Sequence, residues 1–162
     1  MNAYFAGGCF WCITPFFKRI DGILSVVSGY SGGDDINPTY EDVKKQKTGH
    51  RETIKVEYDE NKVDFNKLLD IFFANVDLYD GGGQYIDRGH SYTLAVYYVN
   101  DSQKRMVENK LSTYKEKTYV AIEPFKTFYE AEEYHQDYYL KNPDAFEKEL
   151  IKSGRKKSNS KH

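Results

Sequence analysis

The sequence predicts an α+β fold: a two-layer sandwich in which helices pack against a mixed β-sheet. Segments with strand periodicity alternate with amphipathic helical segments, the middle of the chain is rich in strands, and many links have hairpin length. Short links argue against a doubly wound parallel sheet, because a parallel crossover needs about a dozen residues or more. Among the 162 residues, we expect one domain over 1–151 and a basic, disordered tail over 152–162.

The first predicted strand and helix flank the two cysteines. A short strand is predicted near Tyr4, and an apolar helix follows the cysteines and ends at Asp21-Gly22. Pro15 leaves two starts for this helix, because proline suits a first helical position but kinks a helix interior. The helix therefore begins either at Thr14 or near Cys9, with a kink.

Two strands and a short helix are predicted next. β-Branched residues indicate a strand over Ile23 to Tyr30, and Asn37-Pro38 indicates the start of a brief helix. Residues His50 to Tyr58 alternate between apolar and polar side chains, as in a strand, and Glu52 has the parity of the apolar face. We therefore expect a desolvated Glu52 carboxyl group, with a raised pKa that keeps it protonated as a general acid. The alternative is an exposed carboxylate at the strand end.

The C-terminal half continues the alternation of helices and strands. Asp64 caps a strongly amphipathic helix, which we interpret as part of the core. The strand Thr93 to Val99 is apolar on both faces and is expected to be central in its sheet. A helix is predicted to begin near Asp101-Ser102, a strand to run through Tyr119 to Ile122, and helical segments to fill Tyr129 to Ile151.

Composition and charge argue against several classes of function. The formal net charge is −2 with both signs dispersed, so no overall field attracts nucleic acid or a membrane surface. No segment has the pattern of a signal peptide, and no apolar run approaches membrane-spanning length. Two cysteines are too few for a disulfide-stabilised secreted scaffold. We expect a cytoplasmic monomer with no nucleic-acid or membrane partner.

The only two cysteines and the only tryptophan lie together in Gly7-Gly8-Cys9-Phe10-Trp11-Cys12. A thiol after a flexible Gly-Gly step can lie at the N-terminus of a helix, where unpaired N–H groups favour the thiolate. Phe10 and Trp11 would then form an apolar wall beside a nucleophile. Residues three apart in a helical turn have Cα atoms about 5–6 Å apart, within the range that a disulfide tolerates.

The Cys-x-x-Cys spacing leaves several chemistries open. A zinc site needs about four ligands, and the histidines show no paired ligand spacing, so no metal is expected. A thioredoxin-like disulfide oxidoreductase fits the order of strand, thiol and helix, but the dipeptide between the thiols is bulky and apolar. Inert thiols, or a redox-sensing or peptide-binding module, are further alternatives. In the remaining hypothesis, Cys9 attacks an oxidised small group and Cys12 resolves the resulting sulfenic acid as a disulfide.

Six motifs follow one another along the chain as far as the tail. They are Gly8-Cys9-Phe10-Trp11, Ser28-Gly29-Tyr30-Ser31-Gly32-Gly33, Asn37-Pro38-Thr39-Tyr40-Glu41, Thr48-Gly49-His50-Arg51-Glu52, Gly82-Gly83-Gln84-Tyr85-Ile86-Asp87-Arg88-Gly89-His90-Ser91-Tyr92 and Tyr134-His135-Gln136-Asp137-Tyr138. In this order they resemble the signatures of peptide methionine sulfoxide reductases of the MsrA class. The resemblance implies reduction of methionine S-sulfoxide, free or in proteins, to methionine. For the α+β sandwich, we expect a ferredoxin-like core.

The resemblance also implies roles for individual residues. Cys9 is expected to be the nucleophile on the sulfoxide sulfur, and Glu52 the acid that protonates the sulfoxide oxygen. The other implied roles are to hold the substrate methyl group (Phe10 and Trp11), to donate hydrogen bonds to the oxygen (Tyr30 and Tyr92) and to support that network (Asp87).

Cys12 marks a departure from many members of the family. Many of them have a small residue there and resolve through cysteines in a C-terminal extension, whereas this chain has no cysteine after residue 12. Either Cys12 resolves Cys9 directly, or the enzyme works with one thiol and an external reductant. The resemblance implies thioredoxin as the reducing partner. No cofactor is expected, because thiols supply both electrons and the chain has no dinucleotide or P-loop fingerprint.

Overall fold

The computed structural model describes residues 1–136 together with residues 141, 144, 147 and 148. The predicted tail over residues 152–162 lies outside the described residues. The α-helices of the described part are α1 (Phe10–Lys18), α2 (Tyr40–Lys44), α3 (Phe65–Ala74) and α4 (Asp101–Leu111). The strands are β1 (Asn2–Ala6), β2 (Ile23–Ser31), β3 (Arg51–Tyr58), β4 (Gly83–Gln84), β5 (Asp87–Arg88), β6 (Leu94–Tyr98), β7 (Val120–Pro124) and β8 (Phe128–Glu130). Short 3-10 turns lie at His90–Tyr92 and Glu133–His135.

Six of these strands form one mixed sheet in the order β7-β6-β1-β3-β2-β8. Neighbouring strands are antiparallel, except β6 and β7, which are parallel and connected through α4. The elements β1, α1, β2, β3, α3 and β6 follow the βαββαβ order of a ferredoxin-like fold. The predicted α+β class, with a mixed sheet and packed helices, is therefore confirmed.

The core lies between the sheet and helices α1 and α3. Phe5 of β1 stacks on Phe17 of α1 and on Phe72 of α3, with ring centroids 5.3 and 5.0 Å apart. The end of β1 lies beside the start of β3, because Ala6 pairs with Thr53. This register brings the connection between β1 and α1, which contains the cysteines, close to the first residues of β3.

Helix α1 begins at Phe10 and contains Pro15 in its interior. The start near Cys9 is therefore correct, and the alternative start at Thr14 is wrong. The Thr14 hydroxyl donates a hydrogen bond to the Phe10 carbonyl oxygen at 2.8 Å, within the turn that precedes the proline.

Helix α2 begins slightly later than predicted. Asn37 has a left-handed backbone with φ of 49°, so it cannot belong to the right-handed helix. The N-cap is instead Thr39, whose side chain accepts a hydrogen bond from Asp42 N–H.

Strand β6, which was expected to be central because it is apolar on both faces, has a neighbouring strand on each side. The two middle strands of the sheet are β1 and β3.

The helical segment predicted over Tyr129 to Ile151 is wrong at its start. Tyr129 and Glu130 belong to β8, in which Tyr129 pairs with Tyr30 of β2. Pairing with a distant strand overrides the local preference in this segment. Most of the remaining predicted segment lies outside the described residues. None of the described helices is long and apolar enough to cross a membrane.

Candidate active site

The connection between β1 and α1 places Cys9 at the N-terminus of the helix. Gly8 turns the chain with φ of +79°, a conformation that favours glycine, and Cys9 is the N-cap of α1. The Cys12 N–H donates to the Cys9 carbonyl oxygen at 3.0 Å, and the two side chains form a thiol hydrogen bond. Both cysteines are reduced and buried, with Cys9 7% exposed. The two sulfur atoms are therefore neighbours within one helical turn.

Glu52 extends from β3 to the first turn of α1. Its side chain is 1% exposed, and the Phe10 N–H donates to its Oε1 at 3.2 Å. Within the described part of the chain, Oε2 has no hydrogen-bond partner. The carboxyl group therefore lies buried beside the thiol pair, as the strand parity predicted.

Burial raises the pKa of Glu52 from its ordinary 4.5 to about 8. The hydrogen bond from Phe10 N–H lowers this pKa, and so does the Tyr92 side chain. Negative charge on Asp87 or Cys12 raises it further. Desolvation exceeds the other effects, so the carboxyl group is protonated at neutral pH. A neutral carboxyl group in this position can donate a proton to a bound oxygen atom.

The raised pKa of Glu52 predicts a pH-dependent stability. The unfolded carboxyl group ionises above about pH 4.5, whereas the folded protein holds its proton to about pH 8. The folded state then binds more protons within this window, so this contribution to the free energy of unfolding falls as pH rises through it. Glu52→Gln lacks this titration. Relative to the wild type, its free energy of unfolding should rise by a few kcal/mol between about pH 5 and about pH 8 and then level off.

Urea denaturation at several pH values measures this difference. The exposed Glu57 on the same strand offers a matched control, because Glu57→Gln removes a carboxyl group from solvent. A Glu52→Gln difference that stays constant with pH, like that of the control, would contradict the raised pKa.

The thiol of Cys9 differs from the sequence-based expectation. The hydrogen bond with Cys12 and burial raise the pKa of Cys9 well above its ordinary value, and the charges of Cys12, Glu52 and Asp87 add to the effect. The Cys9 side chain makes no capping hydrogen bond to the N–H groups of α1. The expectation that the helix N-terminus favours the thiolate is therefore wrong for this resting state, because burial and nearby acidic groups outweigh it.

Two tyrosine side chains face the carboxyl group and the thiol from different segments. Burial raises the pKa of both Tyr40 and Tyr92, and the charges of Glu52, Cys9 and Asp87 raise both further. Tyr92 ends the 3-10 turn after β5, and Tyr40 is the first residue of α2. Both hydroxyl groups therefore keep their protons and can act as hydrogen-bond donors.

Tyr30 has a different partner. Its hydroxyl donates to Glu132 Oε1 at 2.9 Å, while Glu132 Oε2 accepts from Tyr40 N–H at 3.2 Å. Burial opposes the ionisation of Glu132, but hydrogen bonds from its own backbone, Tyr40 and Tyr30 together lower its pKa. Glu132 is thus a charged bridge that connects β2 with the N-terminus of α2.

An aromatic cluster forms one side of the site. Phe10 is fully buried, whereas Trp11 is partly exposed and contacts Tyr40 with ring centroids 6.2 Å apart. The Trp11 Nε1–H donates to His135 Nδ1 at 3.1 Å. Burial lowers the pKa of His135, although Glu132 opposes this, so the ring stays neutral and able to accept. Trp11 is held in one orientation and presents an apolar surface.

The part of the chain that the structure describes has no group of three or more His, Cys, Asp or Glu side chains suited to a metal ion. The site thus combines a thiol at the N-terminus of α1, a second thiol, a neutral carboxyl group and two hydroxyl donors.

A family model described as peptide methionine sulfoxide reductase matches residues 1–162. The chain belongs to the peptide methionine sulfoxide reductase family. Peptide methionine sulfoxide reductase MsrA 2 of Staphylococcus aureus strain Mu50 is 45% identical over 160 residues, covering 95% of this chain and 90% of the relative. The MsrA of Bacillus velezensis is 43% identical over 159 residues, covering 94% and 90%. The family resemblance of the motifs is therefore confirmed.

Solved structures in the family share this fold. The crystal structure of Mxr1 from Saccharomyces cerevisiae in reduced form superposes with a TM-score of 0.82 at 28% identity, covering 89% of this chain and 86% of that chain. The methionine sulfoxide reductase A of Corynebacterium diphtheriae superposes with a TM-score of 0.79 at 28% identity, covering 88% and 74%.

The structure brings all eight residues of the predicted reductase site into one region. It also places two further residues there, Tyr40 and Glu132. Cys9, Cys12, Glu52, Asp87 and Tyr92 interact with one another, and Phe10, Trp11 and Tyr30 form the adjoining wall. Tyr40 and Glu132 were missed. Tyr40 lies in one of the quoted motifs, which could have indicated it. Glu132 had no signal, because its contacts with Tyr30 and Tyr40 span 102 and 92 positions.

Proposed function

We propose that this protein is a peptide-methionine (S)-S-oxide reductase, which reduces methionine S-sulfoxide, free or in proteins, to methionine. The observation that supports this best is the buried, protonated Glu52 beside the Cys9 and Cys12 thiols. A sulfoxide oxygen leaves readily only when it is protonated, and a neutral buried carboxyl group supplies that proton. Membership of the family supports the same reaction.

In the first chemical step, the sulfur of Cys9 attacks the sulfoxide sulfur while Glu52 protonates the oxygen. The attack forms a bond between the two sulfur atoms. Both this S–S bond and the S–O bond of the substrate then break as the protonated oxygen passes to Cys9, which leaves methionine and a Cys9 sulfenic acid. The substrate sulfur is reduced by two electrons, and the Cys9 sulfur is oxidised by two. The proton released by the Cys9 thiol returns Glu52 to its neutral form. Because the resting thiol has a raised pKa, proton transfer accompanies the attack.

The hydroxyl groups of Tyr92 and Tyr40 donate hydrogen bonds to the sulfoxide oxygen as its negative charge grows. Both face Glu52 and Cys9, and both remain protonated. Asp87 raises the pKa of Glu52 and thereby supports its neutral form. We assign Tyr30, a predicted donor, to a supporting role through Glu132, because its hydroxyl hydrogen is used there.

The substrate methyl group packs against the aromatic side of the site. Trp11 is the partly exposed ring of this wall, and His135 fixes its indole. Phe10 is fully buried behind it and contacts His135 with ring centroids 5.4 Å apart. An apolar surface here favours the substrate methyl group and excludes water from the reacting sulfur.

In the second step, the Cys12 thiol attacks the Cys9 sulfenic acid. A Cys9–Cys12 disulfide forms and one water molecule leaves. The two side chains already contact each other, so little rearrangement is needed. Thioredoxin then reduces the disulfide by thiol–disulfide exchange and restores both thiols. A cytoplasmic location and a monomeric state stay predictions.

Turnover of racemic dabsylated methionine sulfoxide with dithiothreitol tests the proposed activity. We expect half of the racemate to become methionine, with only the R-epimer remaining. An absence of turnover, accompanied by reduction of insulin disulfides, would instead indicate a thioredoxin-like disulfide oxidoreductase. Binding without either activity would indicate a sensing or peptide-binding module.

Cys12→Ser separates the two thiol steps. Because the first step needs only Cys9, the variant should still convert about one equivalent of substrate per enzyme. Turnover with thioredoxin should collapse, because no intrachain disulfide can form. After exposure to substrate alone, mass spectrometry of the wild type should show a loss of two hydrogens and a linked Cys9–Cys12 peptide.

Two results together would contradict a resolving role for Cys12. A stable sulfenic acid in the wild type, together with undiminished thioredoxin turnover in Cys12→Ser, would make Cys12 a packing residue. The protein would then be a one-thiol enzyme.

A further inference from the structure

Gln46 connects the two segments that contain the tyrosine donors. Its side-chain Nε2 donates to Ser91 Oγ at 2.8 Å, and its Oε1 accepts from Ser91 N–H at 3.0 Å. Both ends of the amide therefore bond Ser91, which is 45 positions away and almost fully buried, and Nε2 also donates to the Lys44 carbonyl oxygen at 3.1 Å. A pair of bonds fixes orientation as well as distance, which one bond does not.

Gln46 is attached to both segments by hydrogen bonds. Helix α2 has only five residues, with Tyr40 at its start, and Gln46 N–H bonds the Val43 carbonyl oxygen just after its end. On the other side, Ser91 directly precedes Tyr92 within one 3-10 turn. The amide of Gln46 thus connects the end of α2 to the turn that contains Tyr92.

The backbone of Gln46 gives an independent reason for a role of its side chain. Gln46 has φ of 62°, a left-handed conformation in which glycine or asparagine is favoured over glutamine. A non-glycine residue in such a conformation persists when its surroundings hold it there. Gly89 lies against the same amide, since a Cβ atom at Gly89 would be 2.7 Å from Gln46 Cδ. The end of the Gln46 side chain therefore packs against Gly89 and bonds to Ser91, although Gln46 as a whole is exposed.

We infer that Gln46 is a positioning residue, which holds Tyr40 and Tyr92 at the spacing needed to donate to one sulfoxide oxygen. This inference rests on the proposed function, in which both hydroxyl groups act on that oxygen. Hydrogen-bond donors accelerate a reaction when the fold already holds them around the atom that becomes negatively charged in the transition state. Small displacements of such donors reduce the rate strongly. The inferred effect is therefore on kcat more than on KM.

Gln46→Gly removes the amide and keeps the left-handed backbone without strain. We expect kcat for dithiothreitol-dependent reduction of N-acetylmethionine sulfoxide to fall about tenfold, with KM nearly unchanged. The melting temperature should change little, because relief of the left-handed strain offsets part of the loss of the bonds to Ser91. Ser91→Ala keeps the bond from the Ser91 N–H and should lose less activity than Gln46→Gly. Lys47→Ala, at the next exposed residue, is the matched control and should keep wild-type kcat.

A double variant, Tyr40→Phe with Tyr92→Phe, shows whether Gln46 acts through the hydroxyl groups. In single-turnover measurements, adding Gln46→Gly to this variant should cause little further loss, because the groups that Gln46 positions are gone. The same tenfold loss in both backgrounds would overturn the inference, as would wild-type kcat in Gln46→Gly alone. Wild-type activity in the double variant would instead remove the hydroxyl groups from the proposed mechanism, and the role of Gln46 with them.

Discussion

Cys9→Ser is expected to lower the rate of methionine sulfoxide reduction by at least about a thousandfold. A serine hydroxyl is not ionised near neutral pH and is a much weaker nucleophile than a thiol. It also cannot form a sulfenic acid, so the oxygen of the substrate has no acceptor. The loss should appear in a single turnover as well as at steady state, because the first chemical step is removed.

Folding of the variant needs a separate measurement, because Cys9 is buried at the start of α1. Circular dichroism and thermal unfolding should resemble those of the wild type, since serine is close in size to cysteine. Cys12→Ser is the matched control, because it also replaces a buried thiol with a hydroxyl but should retain the single turnover. Residual activity of Cys9→Ser above about a thousandth of the wild-type rate would contradict a covalent role for Cys9.

Glu52→Gln is expected to lower the rate about 100-fold or more, the usual scale for loss of a general acid. Glutamine keeps the shape of the side chain and can accept the hydrogen bond from Phe10 N–H, but it has no proton to transfer. The variant therefore separates proton transfer from packing. Its loss should appear in kcat, because the proton is needed as the S–O bond breaks.

The pH profile of the wild type provides a second test of Glu52. The working form is the neutral acid, and the pKa of Glu52 is about 8. The wild-type rate should therefore fall as pH rises through this value, whereas the Glu52→Gln rate should lack this fall. Glu57→Gln should retain the wild-type profile, because Glu57 is exposed on the same strand. An unchanged rate and profile in Glu52→Gln would remove this residue from the mechanism.

Periodicity, caps and family motifs predicted most of the fold and much of the site region. Asp64 caps α3 as expected, and Glu52 is buried on the apolar face of β3. The ordered motifs indicated the family, which the relatives confirm. These features are local: a cap, an alternation or a motif is complete within a few residues, so one segment of sequence determines it.

Contacts between distant segments decided the rest. Tyr129 lies in a strand because it pairs with Tyr30, although the local sequence indicated a helix. Glu132 joins the site through bonds to Tyr30 and Tyr40, and Gln46 joins it through Ser91. No local pattern shows such pairs, because each depends on how the sheet brings separate segments together.

The pKa shifts of Glu52 and Cys9 differ in the same way, because the first could be predicted from the sequence and the second could not. Strand parity predicted that Glu52 is buried, and burial of a carboxyl group raises its pKa. The pKa of Cys9 depended on the tertiary structure, because Cys12, Glu52 and Asp87 all lie near the thiol and outweigh the helix N-terminus. Desolvation follows from one residue's place in a strand, whereas the balance of several interacting charges is set only by their distances in the folded protein.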